Sequence, residues 1–448
     1  MNLICPLDFR YGRNEIKKIF SEESRLSYQL KVEAALARGH AKFGNIPKKA
    51  AEEITRKANL NYVKIERVKE IEREIYHDVM AMAKALTEAC GDAGKYVHLG
   101  ATSYDIVDSA NALQITEAVS IIENDLIELK KSLAGLAKKY RDTVMLGRTH
   151  GQYALPITFG MKMAVFASET DRHIQRVRRC KEELTVGKMS GAVGSGAALG
   201  NHFFEIQDAV MNELGLKAEI PSTQIVGRDR YVVLMSMLAN IAASTEKFAT
   251  EVRNLQRSEI GEVAEPFAKK QVGSSTMPHK RNPIICEQVC GLSRIVRVNL
   301  LPSWENAIQW HERDLCNSSS ERFIIPHSII LTDWILVQMK EVFSKMDVYP
   351  EKMKENIERS RGLPMAEAVM ILLVEKGMGR QAAHEILRVC SIEASKTGKH
   401  LKEVLLENEK IRGLLSEEEI KRVLDIEHYV GGAKRIVDMT LKRLYPNE

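Results

Sequence analysis

No long block of lysine or arginine occurs in the 448 residues, and the formal net charge is only +5. A nucleic-acid surface is therefore not indicated, whereas a modest positive balance suits small anionic ligands. Cysteine is scarce and unpaired: seven residues, at 5, 90, 180, 286, 290, 316 and 390, with no CxxC spacing. An odd set of such thiols argues against a disulfide framework and for a reducing cytoplasm. Cys286 and Cys290 stand four apart on an expected helix. No nearby Cys/His pair completes a tetrahedral set, so no metal is expected. The opening MNLICPLDFRYGR lacks the apolar core of a secretory signal. The most apolar window, FIIPHSIILTDWILV, is interrupted by Pro326, His327 and Asp333. It is too short and too polar to span a bilayer, so no membrane partner is expected. Low-complexity tracts and short-period repeats are also missing. The glycine-rich GKMSGAVGSGAALG, residues 187–200, follows a charged helical segment rather than a strand and has no Gly-Lys-Ser/Thr ending. It is neither a dinucleotide fingerprint nor a P-loop. A packed or flexible loop is expected there, and no cofactor.

What is present is helical periodicity, in a chain with 44% hydrophobic and 28% charged residues. Ile122, Leu126, Leu129, Leu133, Leu136 and Tyr140 alternate spacings of four and three, a heptad seam. Leu234, Met237, Leu238, Ile241, Phe248, Val252 and Leu255 repeat the pattern between Tyr231 and Ile260 without proline or glycine. A third long helix is expected after Pro156 as far as about Leu184, and a fourth from about Pro283. No alternating strand pattern is visible. The fold expected is all-α, with three helical domains: 1–105, a central long-helix bundle over 106–350, and 351–448. Such seams often continue across subunits, so oligomerisation is expected.

Chemistry concentrates in a few stretches. GSSTMPHKRNP, residues 273–283, joins a glycine, three hydroxyls and three basic residues between two prolines. Asn282 followed by Pro283 reads as an N-cap and first helical position, aiming a positive helix end at Lys280. A serine acts as a base only if its alkoxide is stabilised, and clustered charge with free N–H groups can do that. The same donors could hold the extra negative charge formed when a proton leaves a carbon beside a carboxylate. A basic surface loop is the plainer alternative. His150, in GRTHGQYALP, is placed to donate a proton near neutral pH, with Glu287 a candidate carboxylate partner. His77, with Asp78 beside it, lies off the Ile71, Ile75, Val79, Met82, Leu86 stripe, where a solvated face is the default. His98, Thr102 and Ser103 share a turn. In HERDLCNSSSER, Ser318-x-x-Glu321 reads as a capping box, with Arg313 upstream and Arg322 one turn in. Hydroxyls and arginines at a helix start suit a phosphate, or form an ordinary cap with surface ion pairs.

In this order the motifs resemble the fumarase/aspartase superfamily, and its adenylosuccinate lyase family in particular, from RYG at 10–12 to the last helices. The resemblance implies elimination of fumarate from adenylosuccinate and from the succinylated aminoimidazole carboxamide ribotide. It implies Ser274 as general base, with Lys280, Asn282 and loop amides holding an aci-carboxylate and Ser275 binding a carboxylate. It implies His150 as the acid, Glu287 as its partner, and His77 and His98 as further active-site histidines. Arg10, Tyr11, Arg313, Ser318 and Arg322 would hold the nucleotide, chiefly its phosphate. Gln224, Asp78, Thr102 and Ser103 would complete substrate binding. The resemblance also implies a homotetramer with a central helical core and sites built from three subunits. Two positions depart from the family pattern: Tyr76 stands where arginine is usual, and Tyr153 where histidine is. A 3-carboxy-cis,cis-muconate cycloisomerase shares much of the signature loop but has no need of a phosphate site. Argininosuccinate lyases usually carry glutamine where His279 stands. A lyase-derived helical scaffold without activity could have lost Ser274, His150, Lys280 or Glu287, and all four are present.

Overall fold

The computed structural model describes residues 4–446 apart from 269, 272 and 274. The chain forms two compact units, each assembled from three stretches: 1–126, 173–246 and 289–337 in the first, and 127–172, 247–288 and 338–448 in the second.

Long helices dominate, as the periodicity requires. They run over Ser103–Lys139, Phe159–Leu184, Asp229–Leu255, Ile284–Val298 and Cys316–Lys345. Pro326 lies inside the last of these. The heptad residues face inward: Ile122, Leu126, Leu129 and Leu133 are at most 1% exposed, and Leu234, Leu238, Ile241 and Phe248 likewise. Each such side chain contributes about 1.5–3 kcal/mol on burial. These seams are thus covered within one chain, and they do not supply the leftover apolar surface that the expectation of oligomerisation rested on.

The other departures from the helical reading are local. Pro156 does not start a helix. It lies in Gln152–Thr158, the second strand of a hairpin whose first strand is Val144–Thr149, and pairs with Leu146. The Phe159–Leu184 helix begins only after that strand, with the Thr158 hydroxyl accepting from Met161 N. Proline is tolerated because a two-stranded ribbon leaves one edge unpaired. Two further strand pairs, of two residues each, complete the β content among the described residues.

In the first unit, the helix Glu22–Lys42 packs with the helices Lys48–Lys57, Asp78–Cys90 and Phe203–Leu214 around Leu30, Ile54, Leu86 and Ile206. In the second, the C-terminal helices enclose Val369, Leu373, Leu387, Leu405 and Ile420.

Candidate active site

The first unit contains a cleft of about 510 Å³, lined by Arg25, His77, Asp78, Ser103, Tyr104, Gln114, Arg313, Ser318 and Arg322, among others. Six of these residues were expected from sequence. Ligand clefts typically fall in this size range. His77 is the N-cap of the Asp78–Cys90 helix, its Nδ1 accepting from Met80 N at 3.3 Å. Asp78 follows and receives two guanidiniums, Arg25 Nη2 at 3.2 Å and Arg322 Nη2 at 2.6 Å. Burial alone would raise its carboxyl, but Arg322 and Arg25 outweigh it and hold Asp78 below the usual aspartate range.

The expected capping box at Ser318 does not form. The helix begins at Cys316, and Asp314 receives Cys316 N at 2.8 Å and Trp310 N at 2.9 Å. Glu321 is drawn inward instead. Its carboxylate accepts from Arg228 Nε at 2.9 Å and from Asn317 Nδ2 at 3.0 Å. Arg228 also grips Asp108 with both terminal nitrogens, at 2.8 and 2.9 Å. A buried cation claims Glu321 because an unpaired one would be far costlier than a missing cap. Ser318 is thereby free to meet the Tyr104 hydroxyl.

Tyr104 carries Arg313 over its ring face, 3.5 Å from the centroid, with Arg228 at 5.7 Å. Arg313 Nη1 donates to Gln224 Oε1 at 2.8 Å, joining two of the expected binding residues directly. Arg313 Nε and Nη2 are buried and have no hydrogen-bond partner among the described residues. Buried, unsatisfied guanidinium donors on a cleft wall are suited to an anion.

The glycine-rich segment proves to be a packed loop. Its Lys188 is fully buried and paired with Asp105, also fully buried. Asp105 also accepts from Ser190 N, Gly191 N and Thr102 N. Thr102 is thus tied to the loop through one carboxylate. His98 lies upstream in the same turn, with its backbone left-handed at φ 60°. Arg10 is exposed at the end of a short turn, and Tyr11 packs edge-on against Trp334. Arg13, two residues on, bonds Asp333 and Asp125 and anchors this segment. Burial, and then the adjacent Asp333, push the Asp125 carboxyl up to about 8.

The second unit holds the other expected residues: His150, Ser275, Lys280, Asn282 and Glu287. Ser274 lies outside the described residues. His150 and Gly151 form the tip of the hairpin, both left-handed at φ 54° and 75°, as a two-residue hairpin loop requires. The stem is held by Arg148, which grips the fully buried Glu262 at 2.7 and 2.9 Å. His150 and Glu287 are both exposed, and no hydrogen bond joins them within the chain. Ser275 and Lys280 are exposed as well.

Asn282 is not the N-cap expected from its place before Pro283. The helix starts at Ile284, and the buried carboxylate of Glu265 accepts from Ile285 N and Cys286 N, each at 3.1 Å. An ionised acceptor at those amides outcompetes a neutral amide. Asn282 Nδ2 donates instead to Gly273 O at 2.8 Å, closing the signature loop at its neck. A Cβ at Gly273 would lie 1.7 Å from Lys280 O, so only glycine permits this crossing. Gln256 ties the neck to Glu265 N at 2.9 Å and Arg281 O at 3.1 Å.

Sequence reading missed Arg25, Tyr104, Asp105, Arg148, Lys188, Arg228, Gln256 and Glu265. A charged residue inside an otherwise apolar run, as at Asp105 and Asp108 in SYDIVDSANAL, was the available signal for some of them.

Residues 9–297 match the family model described as Lyase, and residues 362–440 match that described as Adenylosuccinate lyase C-terminus. Among solved structures, a fumarate lyase from Mesorhizobium sp. BNC1 superposes with a TM-score of 0.89 at 34% identity, over 96% of this chain and 98% of that one. The 3-carboxy-cis,cis-muconate lactonizing enzyme of Pseudomonas putida does so with a TM-score of 0.89 at 33%, over 98% and 99%. Helical fold and cleft together are those of a lyase. Curated relatives are more similar in sequence: the adenylosuccinate lyase of Pyrococcus abyssi is 52% identical over 97% of this chain and 96% of its own length. That of Methanothermobacter thermautotrophicus is 48% identical over 98% of both. The chain belongs to the adenylosuccinate lyase family.

Proposed function

We propose that the enzyme cleaves adenylosuccinate to AMP and fumarate, and the succinylated aminoimidazole carboxamide ribotide to its amide and fumarate. The observation that carries this reading is Arg313, whose buried and unpartnered donors share the cleft with Ser318 and Arg322. A nucleotide 5′-phosphate suits that set, and a carboxymuconate offers none. The matched C-terminal family supports the same choice.

In this reading Ser274 takes a proton from the succinyl carbon next to a carboxylate. The resulting aci-carboxylate is held by Lys280, Asn282 and loop amides, with Ser275 on a carboxylate. The C–N bond then breaks with formation of the C=C bond of fumarate, and His150 protonates the departing nitrogen. Glu287 of another subunit pairs with His150. Arg10, Tyr11, Arg313, Ser318 and Arg322 hold the phosphate, while His77, Asp78, His98, Thr102, Ser103 and Gln224 hold the rest of the substrate. The exposure of His150 and Glu287 supports a site completed by other chains; a cytoplasmic homotetramer is the assembly this reading takes. The exposed Val298, Leu301, Trp304, Ile308 and Trp310, each more than half accessible, support completion by other chains as well. A division near residues 105 and 350 into an N-terminal helical domain, a central long-helix bundle and a C-terminal helical domain belongs to the same reading. Fumarate release from each nucleotide by purified enzyme is the direct test. Turnover of argininosuccinate or a carboxymuconolactone, with none of either nucleotide, would show the substrate to be misassigned.

A further inference from the structure

The helix Glu22–Lys42 buries two ionisable side chains, Glu33 and His40, each 1% exposed. They lie seven residues apart, on the same helix face as Leu26, Leu30 and Ala37. Both reach the turn that carries His98. Glu33 Oε2 accepts from the backbone N of His98 at 3.1 Å, and Oε1 meets His98 Nδ1 at 2.6 Å. His40 Nε2 donates to Leu99 O at 2.8 Å, while Asn45 donates to His40 Nδ1 at 3.0 Å. Burial keeps His40 neutral, with its titration below the ordinary histidine range. The two contacts clamp a backbone that a non-glycine residue rarely adopts, at φ 60°. A buried Glu is kept only where something repays its desolvation.

We propose that Glu33 is a positioning residue for the lyase reaction: it fixes the His98 ring with Nδ1 as donor, leaving Nε2 to donate to an anionic group of the substrate. The proposal rests on the reading that His98 contacts substrate. His98 Nε2 makes no hydrogen bond to another described residue. Asp105, on the following helix, also faces the ring electrostatically, but its charge is already paired with Lys188. Burial works against the charged imidazole, and Glu33 outweighs it, so His98 titrates above the ordinary range. The charged, Nε2-donating form therefore persists to higher pH than in an ordinary histidine and is lost as pH rises through that raised value.

The test is the pH dependence of kcat/KM for adenylosuccinate in the full-length enzyme carrying Glu33→Gln, His98→Ala, or both. Removing the opposite charge should move the alkaline limb down by about 1–3 pH units. The loss should then be severe near pH 8 and slight near pH 6, with KM changing more than kcat. In the His98→Ala background, Glu33→Gln should have no further effect. An equal loss at every pH, or an undiminished loss without His98, would reduce Glu33 to a structural role and overturn the proposal. Full activity of His98→Ala would remove the substrate contact itself, and the proposal with it. A crippled His98→Ala beside a healthy Glu33→Gln would overturn the Glu33 assignment alone. If Glu33→Gln does not fold, 15N shifts of the wild-type His98 imidazole decide: a ring protonated at both nitrogens near neutral pH supports the proposal, and a neutral ring there contradicts it.

Discussion

The cleft of the first unit and the two projections of the second are built on opposite plans. In the cleft, the polar groups engage one another: Arg25 and Arg322 on Asp78, Arg313 on Gln224 and Tyr104, and Arg228 on Asp108 and Glu321 beneath. In the projections, the candidate acid His150 and the loop's Ser275 and Lys280 are exposed, while the stems are held. Arg148–Glu262 braces the hairpin, and Glu265, Gln256 and Asn282 close the loop. The difference separates two tasks. Recognising an anion is served by charges set in advance and held by neighbours, with the Nε and Nη2 donors of Arg313 left over for the ligand. Delivering an acid or base calls for side chains left unpaired until the substrate arrives, on supports stiff enough to limit where they go.

That contrast predicts which measurement each variant moves. Ser274→Ala should lose about 10²- to 10⁴-fold in kcat, the usual cost of removing a general base, with melting temperature and much of the affinity retained. Ser275→Ala should cost less. If Ser275→Ala abolished turnover and Ser274→Ala did not, the assignment within the pair would be reversed. Mixing inactive Ser274→Ala and His150→Ala chains should restore part of the activity. No recovery after verified subunit exchange would place both residues in one chain's site.

Arg228→Met tests the other half. It strands the buried Asp108 and Glu321 and should destabilise the enzyme by about 3–5 kcal/mol in denaturant melts. Unchanged stability would mean that the network beneath the cleft is dispensable. Arg313→Gln should act mainly on KM, by roughly ten- to a hundredfold, since hydrogen bonds to charged groups are worth about 1.5–3 kcal/mol. A fall confined to kcat would erase the distinction between the two regions.

The smallest effect is expected at Asp125, whose raised titration costs stability between the ordinary aspartate range and about pH 8, because the unfolded chain releases that proton and the folded chain does not. Asp125→Asn mimics the protonated form. Its melting temperature relative to wild type should climb by a few degrees from pH 5 to pH 8. A constant difference across that range would contradict the assignment.

Much of this protein was legible in the order of its residues. Periodicity alone specified the long helices, because a stripe at spacings of three and four has one way to be buried. The motifs GSSTMPHKRNP, GRTHGQ and HERDLCNSSSER pointed to the family, and Arg313, Ser318, Arg322, His77, Asp78 and Ser103 do line one cleft. What local sequence misjudged were competitions among partners. Asn282 and Ser318 stand where caps belong, yet Glu265, from outside the signature loop, and Asp314, four residues before Ser318, took the amides. The Ser318-x-x-Glu321 spacing could not show that Arg228, 93 residues away, would claim Glu321. Pro156 looks locally like a helix start, because a strand partner ten residues earlier is not a local property. The residue types and helical faces were thus determined by the sequence itself. Which buried charge meets which partner was decided only by the tertiary structure, because desolvation makes every buried charge seek whatever opposite charge the packing brings within reach.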